Sequence, residues 1–211
     1  MLSDKIIELR KILAERFPQE ACPPQTLIQT GLACFDQKLG GGLLRGTLTQ
    51  VVTPNFSSGS TLLLQEIIRA MHSQFVALVD GTDCFEPSTN TDLLLWIRCQ
   101  SADQAVKATD LLLRDGNVAL TILDLKQNDD TELRKIPATT WYRLQRVAEA
   151  ARTTLLLMTR HRLVASASPT LQNNHQLEFS DLSRLYSQIL LSIAPEIIPR
   201  KSFPEYQYAQ A

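Results

Sequence analysis

Residues 53–61 read TPNFSSGST. They follow a β-rich run, TLTQVV (47–52), and precede a helical one, LLLQEIIRAM (62–71). A strand, a short turn with glycine and a helix opening on Ser or Thr form the setting of a phosphate-binding loop. There, backbone N–H groups converge on an anion at a helix N-terminus. The working pattern is G-x-x-x-x-G-K-[ST]. Gly59 and Thr61 occupy the second-Gly and Ser/Thr positions, but Ser60 stands where the lysine belongs. The first-Gly position falls on Pro54, or on Thr53 if one residue has been inserted. Proline has no N–H to offer and a fixed φ. Serine carries no charge, and losing a charge-assisted hydrogen bond to a triphosphate costs about 1.5–3 kcal/mol. Pro54, Phe56, Ser57, Ser58, Gly59, Ser60 and Thr61 are therefore expected to form a degenerate loop. Its hydroxyls suit at most weak binding of an anion or of Mg-ATP, and no cofactor is expected. Phe56, bulky and apolar at the crown, is expected to plug the vacated pocket.

Working outward, the strand candidates are 47–53, 75–80, 93–98, 117–124 and 153–159. All are near-continuous apolar runs, such as NVALTILD and TTLLLMT. Such runs fit strands buried on both faces of a mainly parallel sheet. Helix candidates lie between them at 61–73, 101–115 and 139–152, with Ser101 and Gln104 spaced as a capping box. The alternation predicts an α/β fold, a doubly wound and mainly parallel sheet flanked by helices.

The flanks differ in texture. SDKIIELRKILAERF (3–17) reads as an amphipathic helix with Leu2, Ile6, Leu9, Leu13 and Phe17 on one stripe. It is either packed on its own domain or an arm that docks on a partner. Pro18, Pro23 and Pro24 make the following stretch a linker. The expected organisation is an N-terminal helix and linker (1–24), a core (25–196) and a tail (197–211). The stretch RHRLVASASPTLQNNHQ after the last confident strand reads as a mobile surface loop, and 181–194 fits helix or strand equally. Arg160 and Arg162 sit at the carboxyl end of that strand, beside the crevice of a doubly wound sheet, and are candidate contacts for DNA or a protein partner.

Composition narrows the function classes. The 211 residues carry a net charge of -1, so no basic excess supports strong nonspecific DNA binding. DNA contact is expected only indirectly or weakly. No run is long and apolar enough to span a bilayer, and no secretory leader opens the sequence, so a cytoplasmic protein with no membrane partner is expected. Cys22, Cys34, Cys84 and Cys99 form no C-x-x-C, and His72, His161 and His175 are scattered, so reduced thiols rather than a metal site are expected.

These residues carry a resemblance. TGLACFDQKLGGGLLRGTLTQVVTPNFSSGST (30–61) resembles the entry to the core of the RecA recombinases, and FVALVDGTDCFEP (75–87) resembles their second strand and acidic turn. The resemblance implies a catalytic Glu two residues after the strand-end Asp; with Asp80 as that Asp, Thr82 stands in the Glu position. NVALTILD looks like a Walker B strand closed by Asp124, whose alternative role is to cap the next turn. The middle of the chain is similar to the ImuA/SulA-type branch of this superfamily, through Trp141, Arg143, Leu144, Gln145, Ala148, Glu149 and Ala150. That branch implies a RecA-like adaptor without catalytic residues in the bacterial SOS response. Its implied partners are a RecA-type recombinase and a Y-family polymerase-like subunit of error-prone translesion synthesis. The SulA-type alternative is a division inhibitor that binds the tubulin-like division protein. A third reading is an unorthodox ATPase whose missing cation comes from Lys38, Arg45 or a neighbouring subunit.

Overall fold

The computed structural model describes residues 27–87 and 92–198. The expected N-terminal helix, with Leu2, Ile6, Leu9, Leu13 and Phe17, lies outside the described residues, as does the tail from 199 onward. A small antiparallel pair comes first: β1 (Leu27–Ile28) with β2 (Leu43–Leu44), separated by the short helix α1 (Ala33–Lys38). Gly42 is needed at this turn, because its φ is +140° and an added Cβ would strike the carbonyl of Ile28.

The main sheet uses β3 (Leu48–Val52), β4 (Val76–Asp80), β5 (Leu94–Arg98), β6 (Leu120–Asp124), β7 (Thr154–Thr159), β8 (Thr170–Gln172) and β9 (Glu196–Ile198). Their spatial order is β5-β4-β6-β7-β3-β8-β9. All neighbours are parallel except β8 and β9. The helices between them are α2 (Ser60–Ala70), α3 (Ala102–Asp115), the single turn α4 (Asp130–Leu133) and α5 (Ala138–Ala151), followed later by α6 (Tyr186–Ser192). This is the expected α/β class, a RecA-like, mainly parallel sheet with helices.

The period of two explains why the strands are continuous in apolar residues. Val76, Leu78, Leu120, Ile122, Leu156 and Met158 face one core with Leu63, Leu64 and Ile67 of α2. Val79, Leu123, Leu155 and Leu157 face the other core with Ala105, Leu113, Trp141 and Leu144 of α3 and α5. Each central strand thus has two buried faces. The cap of α3 is half the expected box. Ser101 Oγ accepts the Gln104 amide at 3.3 Å, while the Gln104 side chain turns to the amide of Gln100 at 3.0 Å instead of closing on Ser101.

One expectation is corrected. The stretch after β7, read as a mobile surface loop, is tied to the sheet. Gln50 lies fully buried in mid β3 and holds it at both ends of its amide. Its Nε2 donates to Thr159 Oγ1 (2.8 Å) and to the His161 carbonyl (3.3 Å), and its Oε1 accepts the Val164 amide (3.3 Å). The stretch then enters the sheet as β8. A buried side-chain amide with donor and acceptor both satisfied has a strong preference for one geometry. Composition carries no trace of such long-range bonds.

Candidate functional site

The site is built at the carboxyl ends of β3, β4 and β6. The loop 53–59 leaves β3 and turns into α2, with Gly59 as N-cap at φ +71°. Pro54, Phe56, Ser57 and Thr61 are exposed, whereas Ser58 and Ser60 are buried. Ser58 Oγ has no hydrogen-bond partner among the described residues. Other parts of the chain close on the loop. The Leu177 amide donates to the Ser57 carbonyl at 2.8 Å, and Asn173 Nδ2 donates to the Ser58 carbonyl at 2.9 Å. A Cβ on Gly59 would stand 2.5 Å from Ile193 Cδ1 and 3.4 Å from Leu177 Cδ1, and Ile193 is fully buried.

Phe56 does not plug the loop. It is 71% exposed, and the Arg160 guanidinium lies 5.2 Å over its ring. The apolar group packed on the loop is Ile193, which arrives from the far end of the chain. Phe56 faces outward because its partner is a cation at the crown, and a cation over an aromatic face is attracted by the ring quadrupole.

Ser60, in the position of the missing lysine, receives an ammonium from elsewhere. Lys126 is buried, and its Nζ donates to Ser60 Oγ at 2.8 Å and lies 3.3 Å from Asp124 Oδ2. Neither Lys38 nor Arg45 supplies this contact; Arg45 instead donates to Gln74 Oε1 at 3.0 Å. Asp124 also caps the turn after β6, its Oδ1 accepting the Lys126 amide at 3.1 Å. Burial pushes the Asp124 carboxyl above the usual carboxylate range, and Lys126 pulls it back. Lys126 escapes sequence reasoning because it lies two residues past the strand-end Asp, outside every motif. A rule searching for a compensating cation near Asp124 would have found it.

Asp80, the strand-end carboxylate of β4, serves its own turn. It accepts the amides of Thr82 (3.3 Å) and Phe85 (2.7 Å). Thr82 stands where a RecA-type Glu is implied and offers no carboxylate. With Thr61, Asp80, Asp124 and Lys126 it lines a cavity of about 40 Å³. That is room for a water.

Arg160 is engaged within the chain. Its Nη2 lies 3.3 Å from Asp130 Oδ1 and 3.4 Å from the Asn128 carbonyl, and His161 Nε2 reaches the other Asp130 oxygen at 3.0 Å. Arg162 is half-buried, with its Nε lacking a partner among the described residues. The structure brings the phosphate loop, Thr82, Asp124 and Arg160 to one end of the sheet.

The chain is 31% identical over 117 residues to "Protein RecA" of Mycobacterium leprae, covering 52% of this chain and 16% of the relative. It is 30% identical over 117 residues to RecA of Nocardia farcinica, covering 52% and 34%. It is 33% identical over 106 residues to RecA of Chlorobaculum tepidum, covering 46% and 31%. The matched region spans about a third or less of the length of these relatives. No family model matches the chain. No helix among the described residues is long and apolar enough to cross a membrane. The chain has a RecA-like α/β fold and carries RecA-like sequence over about half its length.

Proposed function

We propose that this chain is a RecA-like protein that works by binding rather than by hydrolysis. It is an adaptor of the ImuA type in the bacterial DNA-damage response. Its partners in this reading are a RecA-type recombinase and an error-prone polymerase subunit, and the N-terminal apolar stripe is the docking arm. The observation that carries the reading is the occupied loop. Ile193 packs on Gly59, Lys126 is engaged by Ser60 and Asp124, and the remaining cavity is about 40 Å³. A RecA-like fold whose loop is engaged by the chain's own residues supports a role carried by surfaces.

A thermal-melt titration tests the enzymatic half. Mg-ATP at millimolar concentration is expected to move the midpoint by less than about 1 °C, since a ligand stabilises only by binding the folded state. The partner half is tested with the purified recombinase of the same cell and the full chain by calorimetry. Binding is expected, and Leu9→Asp is expected to remove it without changing the melt. Equal binding by the variant would discard the arm.

One observation favours an ATPase instead: an ammonium does stand beside Ser60. In that reading Lys126 swings onto the phosphates. The same titration separates the two. A rise of several degrees with Mg-ATP, lost in Lys126→Met, together with phosphate released by the wild type and not by the variant, would establish the ATPase reading.

A further inference from the structure

On the sheet face opposite α2, helices α3 and α5 lie side by side, and the outer face of α5, with Arg114 at the end of α3, borders a shallow, open groove of about 800 Å³. Small residues open it. Ala150 and Ala151 end α5, and a Cβ on Gly116 at the end of α3 would be 3.8 Å from the Ala151 Cβ. Val147 and the two alanines give the cleft an apolar floor, while Arg114, Arg143 and Arg146 rim it. One carboxylate serves two of these cations: Asp110 lies 2.8 Å from Arg114 Nε and 3.4 Å from Arg143 Nε. Arg146 has no ion-pair partner among the described residues. Tyr142, beside it on the wall, is 55% exposed.

We infer that this cleft is a docking groove for an acidic peptide segment of a partner protein, carrying an aromatic or aliphatic anchor. The carboxylates meet Arg146 and, beside it on the same helix, Arg143, which only approaches Asp110 at 3.4 Å, while Arg114 stays held by both Asp110 oxygens; the anchor rests on Val147, Ala150 and Ala151 beside the Tyr142 ring. An open groove of this kind suits an extended segment lying along its surface better than an enclosed small molecule. Arginine forks recognise carboxylates with defined geometry. A nucleic-acid strand fits less well. Its backbone needs a run of unpaired cations, and here Asp110 already shares two of the three while the floor offers no polar group to a phosphate. The groove involves none of the loop residues, so the inference stands whether or not the chain hydrolyses ATP.

The test uses the full chain and a displayed random peptide library. Recovered peptides are synthesised, labelled and titrated by fluorescence anisotropy against wild type, Arg146→Glu and Ala150→Glu. Both positions are exposed, and the melting curve of each variant checks folding. Peptides rich in Asp and Glu around one apolar residue are expected. Their affinity should fall by about tenfold or more in each variant, and fall with rising salt. Library selection that enriches nothing, or enriches sequences without acidic residues, overturns the inference. So does equal binding by both variants. Oligothymidylate binding that the same two variants abolish, without peptide binding, would assign the groove to nucleic acid instead.

Discussion

Lys126 concentrates the chemistry of the site in one residue. Its ammonium neutralises Asp124 and satisfies Ser60 Oγ, with both charged side chains mostly shielded from solvent. Removing one partner of a buried pair leaves the other charge uncompensated and costs about 3–5 kcal/mol. Lys126→Met is therefore expected to destabilise the fold by about 3 kcal/mol in urea unfolding at neutral pH. The penalty should shrink in acid. Burial raises the Asp124 carboxyl above its unfolded value, so its contribution is present below the unfolded pKa and lost as pH rises through the folded one. Without the ammonium that pKa climbs further. The deficit of Lys126→Met relative to wild type should thus be smaller at pH 4 than at pH 7, and a pH-independent deficit would contradict the assignment. Phe56 teaches a second lesson at this scale. Its apolarity suggested a plug, but an exposed ring beneath a guanidinium is equally stable at a loop crown.

Among the elements, α2 and its covering segments decide what the loop can do. Gly59 starts α2 in the left-handed region, and Ile193 follows α6. Gly59→Ala meets two penalties: a left-handed backbone on a residue with Cβ, and a contact at 2.5 Å with Ile193 Cδ1. A loss of about 2–3 kcal/mol is expected. Adding Ile193→Val trims the clashing methyl, so the double variant should lose less than the sum of the two singles. Strict additivity in denaturant unfolding would show that the two residues do not touch. Tyr186 of α6, 43% exposed, stands beside Glu66 of α2. Burial, then the neighbouring Glu66 carboxylate, raises its phenol to about 12, while Glu66 is also bonded to Arg69 at 2.6 Å. A raised folded pKa means stability that is complete below the unfolded value near 10 and lost as pH rises through about 12. Phenolate absorbance should show one late-titrating tyrosine, absent in Tyr186→Phe, and that variant should lose about 1 kcal/mol at neutral pH. A titration unchanged by the substitution would place the late group elsewhere.

Across the whole molecule, the legible and the illegible parts divide by range. Strands β3, β4, β6 and β7 and helices α2, α3 and α5 could be read from the chain because burial on two faces writes continuous apolar runs and helices write their own periodicity; the apolar run of β5 reads the same way, but β5 is the edge strand, with Leu95 46% exposed. That Ser60 is no lysine and Thr82 no carboxylate is also legible, since a motif is a local spacing. The ambiguous stretch 181–194 became a 3₁₀ turn and α6, neither long enough to impose a period. What the tertiary structure alone decided is which remote residues meet Gly59, Ser60 and the stretch after β7. Ile193 reaches Gly59 from 134 positions away, Lys126 reaches Ser60 from 66, and Gln50 anchors the stretch after β7 from more than 100. Local spacing records which atoms a loop lacks. Which distant side chain occupies the space depends on how the sheet order β5-β4-β6-β7-β3-β8-β9 folds remote segments onto one end, and residue spacing along the chain carries no such distance.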